Sequence, residues 1–69
     1  MITEQVGSRI RELRNEQGMS QEKLALKAEL DRTYLAGVEL GKRNPSVKSL
    51  QKILHALDVS FEDFFKGFC

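Results

Sequence analysis

The chain has one cysteine, one histidine, one proline and no tryptophan among its 69 residues. Each scarcity closes off a class of protein. A single thiol, Cys69, cannot bridge within the chain, so it reads as an incidental terminal thiol. One cysteine with one histidine also falls short of the four ligands of a structural zinc site. His55 stands alone, and neither an H-E-x-x-H pattern nor a glycine-rich phosphate loop occurs. No catalytic residue, metal site, cofactor or small-molecule ligand is therefore expected. No uninterrupted apolar run exceeds three residues, where a membrane span needs about 20. The opening MITEQVGSRI lacks the basic-then-apolar order of a secretory leader. With the lone cysteine, this points to a reducing cytoplasm.

What remains is a soluble, folding composition: 41% hydrophobic and 30% charged residues, net charge +1. A chain this short buries only about 60% of the surface exposed by its unfolded form. Small domains usually add disulfides, metals or a partner subunit. With the first two excluded, a second subunit is the expected support. The near-neutral total hides an uneven distribution. Residues 32–52 carry five basic side chains and one acidic, a net +4, whereas residues 1–31 sum to −1 and residues 53–69 to −2.

Apolar periodicity predicts one all-α domain over residues 1–69, built from five helices. Val6, Ile10 and Leu13 form one stripe of a helix over about residues 3–17, with Gly18 as its left-handed end. Ser20 caps a second helix carrying Leu24, Ala25 and Ala28 inward. Asp31 caps a third, in which Leu35 and Val38 are buried and after which Gly41 and the loop Lys42-Arg43-Asn44-Pro45 turn the chain. Ser46 caps a fourth with a broad apolar face of Val47, Leu50, Ile53, Leu54 and Leu57. Ser60 with Asp63 resembles a capping box, opening a C-terminal helix over about residues 60–66. His55, among Leu54, Ala56 and Leu57, reads as a residue of the helix surface.

Two short helices joined by about three residues are a helix-turn-helix arrangement, here over about residues 20–40. The stretch SQEKLALKAELDRTYLAGVELGKRNPS, residues 20–46, resembles the lambda-repressor/Cro (XRE) family. The matching residues are Gln21, Leu24, Ala25, Ala28, Leu30, Leu35 and Val38. Glu39 with Gly41-Lys42-Arg43-Asn44-Pro45 matches the family's E-x-G-x-x-x-P tail. The likeness runs from Ile10-Arg11-Glu12-Leu13-Arg14 to Leu57-Asp58-Val59-Ser60. Leu30-Asp31-Arg32-Thr33-Tyr34-Leu35 with Gly37 is most similar to the controller proteins of restriction–modification systems. One departure is Glu29, where the family often has glycine; at positive φ it carries roughly 1 kcal/mol of strain.

The resemblance implies a prokaryotic or phage DNA-binding transcriptional regulator, autoregulatory and dimeric on an inverted-repeat operator. The first turn of the recognition helix then offers Arg32, Thr33 and Tyr34 for base readout. Arginine can take guanine O6 and N7 bidentately, worth about 1–3 kcal/mol of discrimination. Arg32 in a surface ion pair and Tyr34 as a partly buried ring are the plainer readings. Ala36 and Gly37 are short, so the middle of that helix either approaches DNA closely or reads nothing. Gln21 is expected at a phosphate, with Lys42, Arg43 and Asn44 bracketing the strand from the other side. In the family, Arg14 and Glu39 correspond to a partly buried structural salt bridge. Phe61, Phe64, Phe65 and Phe68 exceed what so small a core needs, which marks them for the dimer interface, with closure of the chain's own core as the other use. The rival reading is a protein-interaction module of the same fold with weak DNA affinity, favoured by the low net charge and the aromatic C-terminus.

Overall fold

The computed structural model describes residues 2–66 and 68, so Cys69 lies outside the described residues. The described residues form five helices: α1 (Ile2–Glu16), α2 (Gln21–Ala28), α3 (Arg32–Glu39), α4 (Val47–Leu57) and α5 (Phe61–Phe65). No strand occurs among the described residues, and the all-α expectation holds. Four of the five helices begin at a short polar side chain that accepts from a backbone N–H of the first turn. Ser20 accepts from Lys23, Asp31 from Thr33, Ser46 from Ser49 and Ser60 from Asp63. Each such cap satisfies a donor that the helix itself leaves open, and its loss costs about 1 kcal/mol.

The ends are equally local in origin. Gly18, at φ 69°, turns the chain after α1, and the Met19 N–H returns to the Arg14 carbonyl at 3.1 Å. Glu29 ends α2 in the same left-handed conformation, at φ 58° and ψ 44°. There the Leu30 N–H closes on the Ala25 carbonyl at 2.8 Å. The turn geometry thus holds without the glycine that would adopt it freely, so Glu29 bears the strain anticipated for it.

α1 lies against α3, and α2 against both α3 and α4. Between them sit Val6, Ile10, Leu13, Met19, Leu24, Leu35, Val38, Leu50, Ile53, Leu54 and Leu57, all buried. Ala25 and Ala28 are also buried, and their small size lets α2 come close to its neighbours. The closest approach is made by Gly7. A Cβ there would stand 2.0 Å from the Val38 carbonyl oxygen and 2.9 Å from that of Glu39, so α1 lies directly on the backbone at the end of α3. Gln17 Nε2 donates to the Leu57 carbonyl at 2.7 Å, tying the end of α1 to the end of α4.

The C-terminal aromatics divide. Phe64 is fully buried within the chain's own core, which corrects its assignment to a subunit interface: no surface is left for a partner to cover. Phe65 and Phe68 are half-buried and pack against that core. The three rings pack together, Phe65 meeting Phe64 and Phe68 edge-to-face at 5.0 and 5.2 Å between centroids. Phe61 remains exposed, at 39%.

Candidate nucleic-acid interface

α2, the turn at Glu29 and α3 give the two-helix unit its shape, and a buried polar network fixes it. Arg14 on α1 donates from Nε to Glu39 Oε2 at 2.8 Å and from NH2 to Glu39 Oε1 at 3.1 Å. Its third nitrogen, NH1, donates to the Met19 carbonyl at 2.7 Å. The Glu39 side chain is only 2% exposed, so this planar two-point contact is made almost out of water. Gln21 Nε2 adds a third donor to Glu39, at 3.0 Å from Oε1. The start of α2 and the end of α3 are therefore joined through one carboxylate, with α1 supplying its countercharge.

That arrangement gives Gln21 a role that sequence reasoning missed. Its amide nitrogen faces the buried carboxylate, and the side chain is half-buried rather than free at the surface. No local signal indicated it, because the two residues are 18 positions apart.

The buried residues of α3 are Leu35, Val38 and Glu39. At about 100° per residue, Thr33, Gly37 and Leu40 lie opposite them and face outward, flanked by Arg32 and Ala36 on one side and Tyr34 on the other. Arg32 and Thr33 are exposed, and Tyr34 is half-buried against the core. Asp31 caps this end, leaving the first turn of α3 projecting with Arg32 and Thr33 at its tip. Base-reading helices enter the major groove by such N-terminal residues.

Lys42, Arg43 and Asn44 follow α3 and are all exposed. The backbone N–H groups of Lys42 and Arg43 both donate to the Gly37 carbonyl, at 2.9 and 3.2 Å, folding the loop back along the helix. Asn44 Oδ1 accepts from Thr3 Oγ1 at 3.4 Å, which anchors the loop to α1. Arg43 turns toward the start of α3, its guanidinium carbon 5.6 Å from the centre of the Tyr34 ring. The outward face at Gly37 is thus covered by a side chain from the loop.

Three of the five basic residues of the positively charged segment lie along α3: Arg32 at its tip, Arg43 along it and Lys42 at its end, whereas Lys48 and Lys52 lie on α4. His55 is exposed on α4, where it lines a shallow surface pocket with Lys48, Gln51 and Lys52. Among the described residues no three of His, Cys, Asp and Glu come together to hold a metal ion. None of their helices is long and apolar enough to cross a membrane.

Comparison with known proteins gives the same picture over nearly the whole chain. Residues 10–64 match a family described as helix-turn-helix. The control protein C.BamHI of Bacillus amyloliquefaciens is 43% identical over 58 residues, spanning 83% of this chain and 72% of that protein. The restriction–modification controller protein C.AhdI from Aeromonas hydrophila superposes with a TM-score of 0.88 at 44% identity, covering 91% of this chain and 96% of that one. The controller protein C.Esp1396I, solved as a tetramer in complex with its natural 35-base-pair operator, gives a TM-score of 0.90 at 44% identity. That match covers 96% of this chain and 87% of the other.

Proposed function

The chain belongs to the helix-turn-helix family, and on that premise we propose that it is a sequence-specific DNA-binding regulator of transcription. It works as a homodimer on an inverted-repeat operator, regulates its own promoter and serves as a controller of a restriction–modification system. The observation that carries this is the outward face of α3, where Arg32 and Thr33 project from a capped N-terminus, Arg43 reaches back over Tyr34 and Lys42 follows the far end of the helix. A helix presented in this way fits the major groove, about 12 Å wide, and an exposed arginine at its tip reaches guanine O6 and N7.

In this reading Arg32, Thr33 and Tyr34 contact bases or the edges of the groove. Lys42, Asn44 and the second N–H of Gln21 meet phosphates and set the register. A twofold dimer built on α5 places two recognition helices about 34 Å apart, one turn of DNA. Phe61, with the outer edges of Phe65 and Phe68, supplies its apolar contact; the exposure of Phe61 on so small a domain supports this use. The protein works in the cytoplasm on prokaryotic or phage DNA, without a catalytic step, metal or cofactor.

Titration of its promoter DNA at several salt concentrations tests the proposal. Loss of Arg32 in R32A should relax discrimination by about 5- to 150-fold at one base pair of each half-site. Loss of Lys42 should weaken binding to all sequences alike and lower the salt slope by about 1. No binding to DNA at physiological salt would instead favour the protein-interaction module.

A further inference from the structure

We propose that the first turn of α1 braces the loop after α3, and that Thr3 is a positioning residue that turns Asn44 toward a DNA phosphate. This rests on the DNA-binding reading above and deepens it, because it brings an element outside the two-helix unit into the binding apparatus. α1 and the segment 38–44 run past each other in close contact at three levels. Gly7 stands against the end of α3, where a Cβ would lie 2.0 Å from the Val38 carbonyl oxygen and 2.9 Å from that of Glu39. About one turn nearer the N-terminus, Glu4 lies on Gly41. A Cβ on that glycine would be 2.8 Å from Glu4 Cγ, 3.1 Å from its Cα and 3.3 Å from its Cβ. Beside Glu4, the half-buried Thr3 donates from Oγ1 to Asn44 Oδ1 at 3.4 Å.

The two left-handed glycines show that this contact is more than a turn. Gly18 and Gly41 share the conformation, at φ 69° and 77°. Nothing lies within 4 Å of a Cβ on Gly18, whereas one on Gly41 would meet Glu4. Gly41 therefore serves close approach as well as backbone conformation, and α1 sets the course of the loop together with the end of α3. The bond from Thr3 is long for a hydroxyl donor. It orients a side chain that the packing at Gly41 has brought within range. Orientation matters at Asn44 because its carboxamide has two unlike ends, an acceptor oxygen and an NH2 group with two donors. A phosphate offers acceptors only. Thr3 engages the oxygen, which leaves both donors for the phosphate on a side chain that is otherwise exposed. Without the hydroxyl, the carboxamide turns freely, and binding must order it. Lys42 and Arg43 carry donors alone in their head groups and have no wrong end to present. Asn44 is the loop residue for which a holder makes a difference.

The test is binding of the full chain to the sequence recovered from a random DNA pool, read by fluorescence anisotropy at several salt concentrations. Thr3→Val keeps the shape of the side chain and removes the hydroxyl. It should weaken binding about 2- to 12-fold per half-site, with the salt slope unchanged because no charge is lost. Discrimination at the base pair read by Arg32 should be retained. Thr3→Ser keeps the hydroxyl and should restore the affinity. Asn44→Ala should weaken binding at least as much as Thr3→Val, and the double variant should be no weaker than Asn44→Ala alone. A purely structural role for Thr3 would move none of these couplings and would not distinguish valine from serine at the DNA. Unchanged binding in Thr3→Val or in Asn44→Ala would overturn the proposal. So would additive losses in the double variant, or a Thr3→Ser protein as weak as Thr3→Val. Absence of any sequence preference in the unsubstituted protein would overturn the DNA-binding reading itself, an outcome distinct from the others.

Discussion

Replacing Arg14 with methionine tests the polar network that holds the two-helix unit together. The substitution keeps an unbranched stem of similar length and removes three hydrogen bonds: two to Glu39 and one to the Met19 carbonyl. Glu39, with its side chain 2% exposed, would keep only the Gln21 donor at 3.0 Å. Removing one partner of a buried ion pair costs about 3–5 kcal/mol. Gln21 still satisfies one oxygen, so the lower half of that range, about 3–4 kcal/mol, is expected. At about 0.05–0.15 kcal/mol per residue, a domain of this size is stable by about 3–10 kcal/mol, so Arg14→Met consumes a large part of its stability. Urea unfolding followed by far-ultraviolet circular dichroism measures the loss. Protomer concentration must be held constant, because the stability of a dimer depends on it. The double variant Arg14→Met, Glu39→Met removes the stranded carboxylate and should recover most of the loss. A cost below about 1 kcal/mol for the single variant would refute this reasoning, as would a double variant no more stable than the single one.

Other substitutions probe separate parts of the fold. Glu29→Gly relieves a left-handed residue at φ 58° and should stabilise by up to about 1 kcal/mol, seen as a higher urea midpoint at unchanged slope. Gly7→Ala places a methyl 2.0 Å from the Val38 carbonyl oxygen, which cannot yield as a side chain would. It should cost at least about 1–3 kcal/mol and, by displacing α3, weaken DNA binding measured on the remaining folded protein. Phe61→Asp puts a charge on the exposed ring position of α5. It should shift the protein toward monomer in sedimentation at micromolar concentration while leaving its helical circular dichroism intact.

Much of the fold was legible because its signals are local. Ser20, Asp31, Ser46 and Ser60 each mark a helix start through a bond to a residue two or three positions on, and Gly18 marks an end in the same way. Apolar spacing then assigned Ile10, Leu24, Leu35, Val38 and Ile53 to the core. The candidate site was legible where exposure alone defines it, as for Arg32 and Thr33 on a capped first turn. It was not legible where a role depends on residues brought together by folding. Gln21 meets Glu39 only because α2 and α3 cross, and nothing in the spacing of the phenylalanines separates buried Phe64 from exposed Phe61. Arg43 was read as a loop cation and Gly37 as a gap in the helix, two observations that packing makes into one. The closeness of Gly7 to the end of α3 likewise has no counterpart in its immediate sequence.

The central claim is that two copies of this chain read one inverted repeat through α3 and the loop after it. Selection of bound fragments from a random pool of double-stranded DNA, followed by sequencing, tests it most directly. The account predicts enrichment of two like half-sites in opposite orientation, their centres about one helical turn apart, with a specified position lost selectively in R32A. Enrichment of no sequence, or of a single unrepeated half-site, would contradict it.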